Sequence, residues 1–388
     1  MKSNKNAISA MCAILTMILA LALVTGCAKK EKNQEAATLI PAMKEAVNPN
    51  TEVKTIVDQN GRVVKIPKEI NRVVMVPLPL PSLYYAVTGS CQEIVGIHPK
   101  TKNKAEFSMI GVLAPELMNA ATDFVKGIDI NIEDLLKLRP DIVFFWGLDP
   151  KQVEQFEAIG IPAVAVYTVK GGDALETLHL WMKMLEQIFG KSERISELIA
   201  HNFETMKMIR SRTQNIPQKK RPKALILYYH DDKRIGVYGK NSYSQFWLVS
   251  TGAINVSEAV SGIADVNMEQ IYKWNPDIIY ISNFSNTMPD ELLNNLIENQ
   301  DWREVTAVKE KKVYKIPSGI YRWYPPSTDA SLMLKWMAQK HYPDLFDDYS
   351  IAEEIKRHYS RFYHYDLSPE QIERILHPVR KTAKVTTN

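Results

Sequence analysis

At 388 residues the chain has room for two domains and a sizeable core, and its 45% hydrophobic and 24% charged residues are those of a soluble globular protein. A net charge of +4 offers no basic excess for nucleic acid and no acidic tail. Three cysteines, Cys12, Cys27 and Cys91, show no metal or redox spacing and exclude a disulfide framework.

The first stretch is a targeting segment. Lys2 and Lys5 precede an apolar run over 7–24 that ends Leu23-Val24-Thr25-Gly26-Cys27, the pattern of a secretory signal over residues 1–26. A single membrane anchor helix is the alternative. Small residues before a cysteine resemble the lipobox of bacterial lipoproteins, which implies that Cys27 becomes the N-terminus and carries lipid, a stable tether to the membrane. Residues 27–50 are polar with scattered Pro and Asn and read as a lipid-anchored stalk.

Residues 51–170 read as a first α/β lobe. Two β-type runs flank Asp58-Gln59-Asn60-Gly61, a hairpin signal. A buried strand at 72–76 leads into a rigid loop, Pro77 to Ser82, and Tyr84 and Tyr85 begin a short helix ending near Gly89. Strands follow at 94–97, before His98-Pro99, and at 142–146, ending in Trp146; a helix at 151–160 and a strand at 163–167 complete the set. Alternating strands and helices predict a mainly parallel sheet, with ligands outside the carboxyl ends of the strands. Tyr84, His98 and Trp146 are the candidates there. Each has a plainer alternative, as a core plug or a turn cap.

Residues 171–220 read as a helical connector: an amphipathic helix at 173–189 and a longer one at 192–213, about 30 Å at 1.5 Å per residue. The second lobe, 221–347, opens with a buried strand ending in Tyr229 and His230. A Gly-, Tyr- and Asn-rich loop at 236–244 contains Tyr238. A last strand, 313–316, leads into the aromatic segment Pro317 to Pro326 with Arg322, Trp323 and Tyr324, suited to pair a carboxylate or stack on a planar ring. Here the alternative is that Trp323 and Tyr324 cover the core while Arg322 is solvated. The tail, 348–388, adds two helices expected to pack on this lobe.

One stretch occurs twice. Asn131-Ile-Glu133…Pro140-Asp141-Ile142 and Asn267-Met-Glu269…Pro276-Asp277-Ile278 match at an offset of 136 residues. Each copy predicts an Asn-capped short helix with Glu in its first turn, a stop before Pro, and a strand buried on both faces. The expected fold class is α/β: two three-layer lobes with mainly parallel sheets, joined by one long α-helix.

The lipobox, the Asp58-x-x-Gly61-Arg62-x-Val-x-Ile-Pro67 hairpin, a Pro-Asp strand in each lobe, the long helix and the helical tail together resemble the substrate-binding lipoproteins of iron-siderophore and vitamin B12 ABC importers. That resemblance implies ligand held in the cleft between lobes, no catalysis and no cofactor. It also implies one surface glutamate per lobe docking on an ABC permease dimer, here Glu133 and Glu269. The ligand set expected on this basis is Tyr84, His98, Trp146, Tyr229, His230, Tyr238, Arg322, Trp323 and Tyr324. A ferric siderophore is the first ligand class, with a corrinoid second and heme or a metal–histidine chelate third. Direct iron ligation by Tyr84, His98, Tyr229 or His230 stays open. The rival classes are a metallocluster enzyme, which needs more cysteines than this chain has, and a sensory lipoprotein. No Gly-x-Ser-x-Gly, Walker A, His-Glu-x-x-His or Gly-x-Gly-x-x-Gly motif is present.

Overall fold

The computed structural model describes residues 52–379, so the expected signal segment, Cys27 and the stalk lie outside the described residues. The opening hairpin pairs β1 (Val53–Val57) with β2 (Val63–Pro67). Asp58 organises its turn: Oδ1 accepts from the Asn60 and Arg62 backbone N–H groups at 3.0 and 2.9 Å, and Oδ2 pairs the Arg62 guanidinium at 2.7 Å. Arg62 also donates to the Ala163 carbonyl at 2.9 Å, which pins the hairpin to the first lobe.

The first-lobe sheet holds β3 (Val73–Met75), β4 (Ile94–Ile97), β7 (Ile142–Trp146) and β8 (Ala163–Val166), in the order β4-β3-β7-β8 and wholly parallel. Between β4 and β7 lies a small hairpin of β5 (Val125–Lys126) and β6 (Asp129–Ile130). In the second lobe, β9 (Lys223–His230), β13 (Ile278–Ile281) and β14 (Val313–Lys315) are parallel. β10 (Ile235–Tyr238) runs antiparallel to β9 and to β12 (Ile263–Val266), and the short β11 (Ile254–Asn255) also joins β9. The segment read as a loop from Gly236 is therefore partly strand β10. Its glycine suggested a loop, but Gly236 pairs with Tyr229 and Asp265 in the sheet.

The two repeat copies build the same local device. Asn131 and Asn267 cap their helices, Ile132–Lys137 and Met268–Trp274, by accepting the Asp134 and Gln270 N–H groups. Arg139 and Asn275, each just before the proline, turn left-handed at φ 46° and 39°, away from the α region that a following proline disfavours. The Asp of Pro-Asp then clasps the entrance of the neighbouring strand. Asp141 Oδ2 accepts from the Asn71 and Arg72 N–H groups, and Asp277 Oδ2 from that of Lys223, all at 2.8 Å. Arg72 and Lys223 return a side-chain hydrogen bond to the Leu138 and Trp274 carbonyls.

Because β7 and β13 are buried on both faces, each sheet feeds two cores. One face of each lobe has its own cluster, with Val143, Phe145 and Phe156 in the first and Ile279, Ile281 and Trp302 in the second. The other faces merge into one core through the connector helices Ala174–Phe189 and Glu193–Thr213, which supply Leu178, Trp181, Leu185, Ile195, Leu198 and Ile209. The tail helix Ile351–Tyr363 packs on both sides of this core rather than on the second lobe alone. Tyr359 bonds Asp329 of the second lobe, Arg361 pairs Glu197 of the connector at 3.1 Å, and the Tyr363 ring lies 6.0 Å from that of Tyr85 in the first lobe.

Candidate ligand-binding site

Aromatic side chains at the ends of β9 and β10, just beyond β13 and in the loop after β14 come together on one wall. The Tyr228 ring lies 4.3 Å from Tyr229, 5.5 Å from Tyr238, 5.3 Å from Phe284 and 5.5 Å from Tyr324. Asn283 fixes the loop after β14 to this wall: its amide donates to the Ile316 and Pro317 carbonyls, and its oxygen accepts the Tyr324 N–H at 3.2 Å.

Arg322 stands on the wall, its guanidinium carbon 4.6 Å from the Phe284 ring centre and 5.9 Å from that of Tyr321. Its Nε is buried and has no hydrogen-bond partner. An arginine keeps its charge, and a buried donor without an acceptor costs about 1–3 kcal/mol or more. This geometry favours an incoming acceptor, above all an anionic one. Burial pushes the Tyr228 hydroxyl up, with help from Tyr229, and burial does the same to Tyr324, so both are neutral at physiological pH. Tyr228 and Phe284 were not singled out from the sequence; each is an aromatic at or just beyond the end of an apolar run, the signal used for Tyr229.

Four expected contacts have other work. Tyr84 lies a full turn inside the helix Leu80–Thr88, which begins earlier than expected because Pro81 occupies its first turn; the ring packs edge-on at 4.8 Å from Phe189 and the hydroxyl donates to Glu93. His98 caps the helix Pro99–Ala105, with Nδ1 accepting from Lys100 N–H at 2.9 Å and Nε2 donating to the Gly127 carbonyl at 2.8 Å. His230 is buried, Nε2 at 2.7 Å from Gln300 Oε1 and Nδ1 at 3.0 Å from Thr287 Oγ1. Trp323 is fully buried, its indole donating to Asp329 at 2.9 Å. The polar atoms of these four are engaged within the protein. Trp146 is half-buried at the end of β7, its ring 6.0 Å from Trp181. Tyr324 is buried as well, its hydroxyl 2.8 Å from Ser244 Oγ, but its ring completes the aromatic wall. Cys91 is buried, and burial raises its thiol well above the usual value, as suits an inert residue.

The lobes meet where the Met109 N–H donates to the Gly319 carbonyl at 2.9 Å. A cavity of about 310 Å³ opens beside this contact, between Phe107, Ser108 and Met118 of the first lobe and Ser318 and Arg374 of the second lobe and tail. Among the described residues no group of three or more His, Cys, Asp or Glu side chains is placed to hold a metal ion. Glu133 and Glu269 stand in the first turns of the two repeat helices, Glu269 exposed and Glu133 partly so.

Residues 82–319 match the family model described as periplasmic binding protein, and the chain belongs to that family. The molybdate-binding protein MolA of Haemophilus influenzae is 28% identical over 342 residues, covering 83% of this chain and 94% of that protein. An ABC transporter substrate-binding lipoprotein of Bacillus subtilis, YvrC, is 23% identical over 348 residues, covering 86% and 97%. Among solved structures, a periplasmic solute binding protein from Veillonella parvula superposes with a TM-score of 0.76 at 37% identity, covering 84% of this chain and 97% of that one. MolA bound to molybdate gives 0.69 at 27%, covering 81% and 99%. The chain is thus a substrate-binding protein of the kind that serves ABC importers, and the relatives named here are binding proteins rather than enzymes.

Proposed function

We propose that this protein captures an anionic metal species between its lobes and delivers it to an ABC permease. The observation that carries this reading is Arg322: a buried guanidinium Nε without a partner, stacked on Phe284 beside Tyr228, Tyr229, Tyr238 and Tyr324. An aromatic wall with Arg322 held against it suits a ferric catecholate siderophore, whose planar ligand arms stack while its negative charge meets the arginine. A second reading is a small metal oxyanion. The named specificity of MolA favours it, and so does Arg322, which offers several donors in one plane. Corrinoid ranks below, since it needs no cation, and heme, whose two propionates would also meet Arg322, ranks third.

Delivery rests on Glu133 and Glu269, which stand at equivalent points of the repeat and would meet basic residues of a two-fold permease. Lipidation at Cys27 would hold the protein at the extracytoplasmic face of the membrane. Quenching of tryptophan fluorescence by ferric siderophores, molybdate, cobalamin and heme tests the ligand class. The anionic iron complex or the oxyanion should quench with saturation at one equivalent, and saturation by cobalamin alone would refute the reading.

A further inference from the structure

Beside the Asn283 contacts, one buried carboxylate holds the loop that carries Arg322 from within. Asp329, fully buried at the start of the helix Ala330–His341, accepts three hydrogen bonds at Oδ2. They come from the Ile320 backbone N–H at 2.8 Å, the Trp323 indole at 2.9 Å and the Tyr359 hydroxyl at 3.2 Å. The first two donors lie on either side of Arg322 in the chain; the third comes from the tail helix. Gly319 makes room for this arrangement, since a Cβ there would stand 2.0 Å from Asp329 Oδ2 and 2.6 Å from the Tyr359 hydroxyl. The same loop is tied to the last helix, Pro369–Leu376, by the Ser318 N–H donating to the Ile375 carbonyl at 2.9 Å.

We propose that Asp329 and Tyr359 are positioning residues for ligand capture, and that through them the C-terminal tail sets the attitude of Arg322. The proposal rests on the reading of Arg322 as the ligand's cationic contact. Anchors on both sides of an arginine fix its backbone before the ligand arrives, so that less ordering remains to oppose binding. Tyr359 shares one carboxylate oxygen with both anchors, and its hydroxyl fixes where that oxygen sits. The residues matched by the family model end at 319, so Arg322, Asp329 and the tail all lie beyond the matched span.

The test is a double-mutant cycle read as the Kd of the full chain for a ferric tris-catecholate and for sodium molybdate. Tyr359→Phe keeps the ring in the core and removes only the donor. It should raise Kd about fivefold in the native background and less than about twofold in the Arg322→Ala background, because its effect passes through the arginine. A general loosening of the fold would weaken binding equally in both. Equal effects, or none in the native background, would overturn the proposal while leaving the ligand reading intact. Should Tyr359→Phe fail to fold, Asp329→Asn takes its place; it retains an oxygen for Ile320 and Trp323 and should recover most of the affinity lost in Asp329→Ala, and equal losses would overturn the proposal. If the native chain binds neither probe, or Arg322→Ala leaves both affinities unchanged, the ligand reading and the proposal fall together.

Discussion

At the scale of single residues, Arg322 and the buried histidines carry the clearest consequences. A charged hydrogen-bond partner contributes about 1.5–3 kcal/mol, so Arg322→Ala should weaken ligand binding by about tenfold or more while the melting temperature stays level or rises. Arg322→Lys should recover only part of the loss, since an ammonium cannot reproduce the stacked planar fork. His341 is held by burial at about 4, below its ordinary 6.5, with Nδ1 donating to the Thr251 carbonyl. Between those values the folded chain binds fewer protons than the unfolded one. Stability is therefore complete above pH 6.5 and falls toward pH 4 by on the order of 1.4 kcal/mol per pH unit. Melting temperatures across that range should show the slope, and His341→Gln should flatten part of it. Which strand-end side chains keep their polar atoms free was only partly legible in the sequence. His98 follows a strand end as a ligand contact does, but its partner, the Gly127 carbonyl, lies 29 residues away; Trp323 is taken up by Asp329, six residues on, through a loop conformation that the local pattern does not announce.

At the scale of elements, the repeated segment explains itself through short-range chemistry, which is why it was readable. Asn caps, first-turn glutamates and a stop before proline all act within a few residues. The clasp made by Asp141 and Asp277 was not readable, because its partners, Arg72 and Lys223, precede it by 69 and 54 residues. Asp277→Ala should orphan the Lys223 N–H at the entrance of β9 and cost about 1–3 kcal/mol, measured by urea unfolding. Asp141→Ala should cost less, because its hydrogen bonds are solvent-exposed. Strand β10 escaped the sequence reading for a related reason: Gly236 is accommodated by a bulge against β9, a pairing the local sequence does not announce.

At the scale of the whole molecule, the shared core is the dominant feature. The connector helices bury Leu178, Trp181, Leu185, Ile195, Leu198 and Ile209 in one cluster with both lobes, and the tail helix closes the same cluster with Ile355, Tyr359 and Phe362. A core continuous across the lobes opposes wide hinge opening, and a nearly preformed cleft then depends on side-chain preorganisation for its affinity. Docking belongs to this scale as well. Glu133→Lys with Glu269→Lys should abolish uptake by cells while leaving ligand affinity unchanged; uptake that survived would remove both residues from the permease interface. The most direct test of the central claim is calorimetric titration of the native chain and of Arg322→Ala with a ferric siderophore and with molybdate. One ligand per chain is predicted, bound about tenfold or more weakly by the variant. Equal affinity for native and variant would contradict the account.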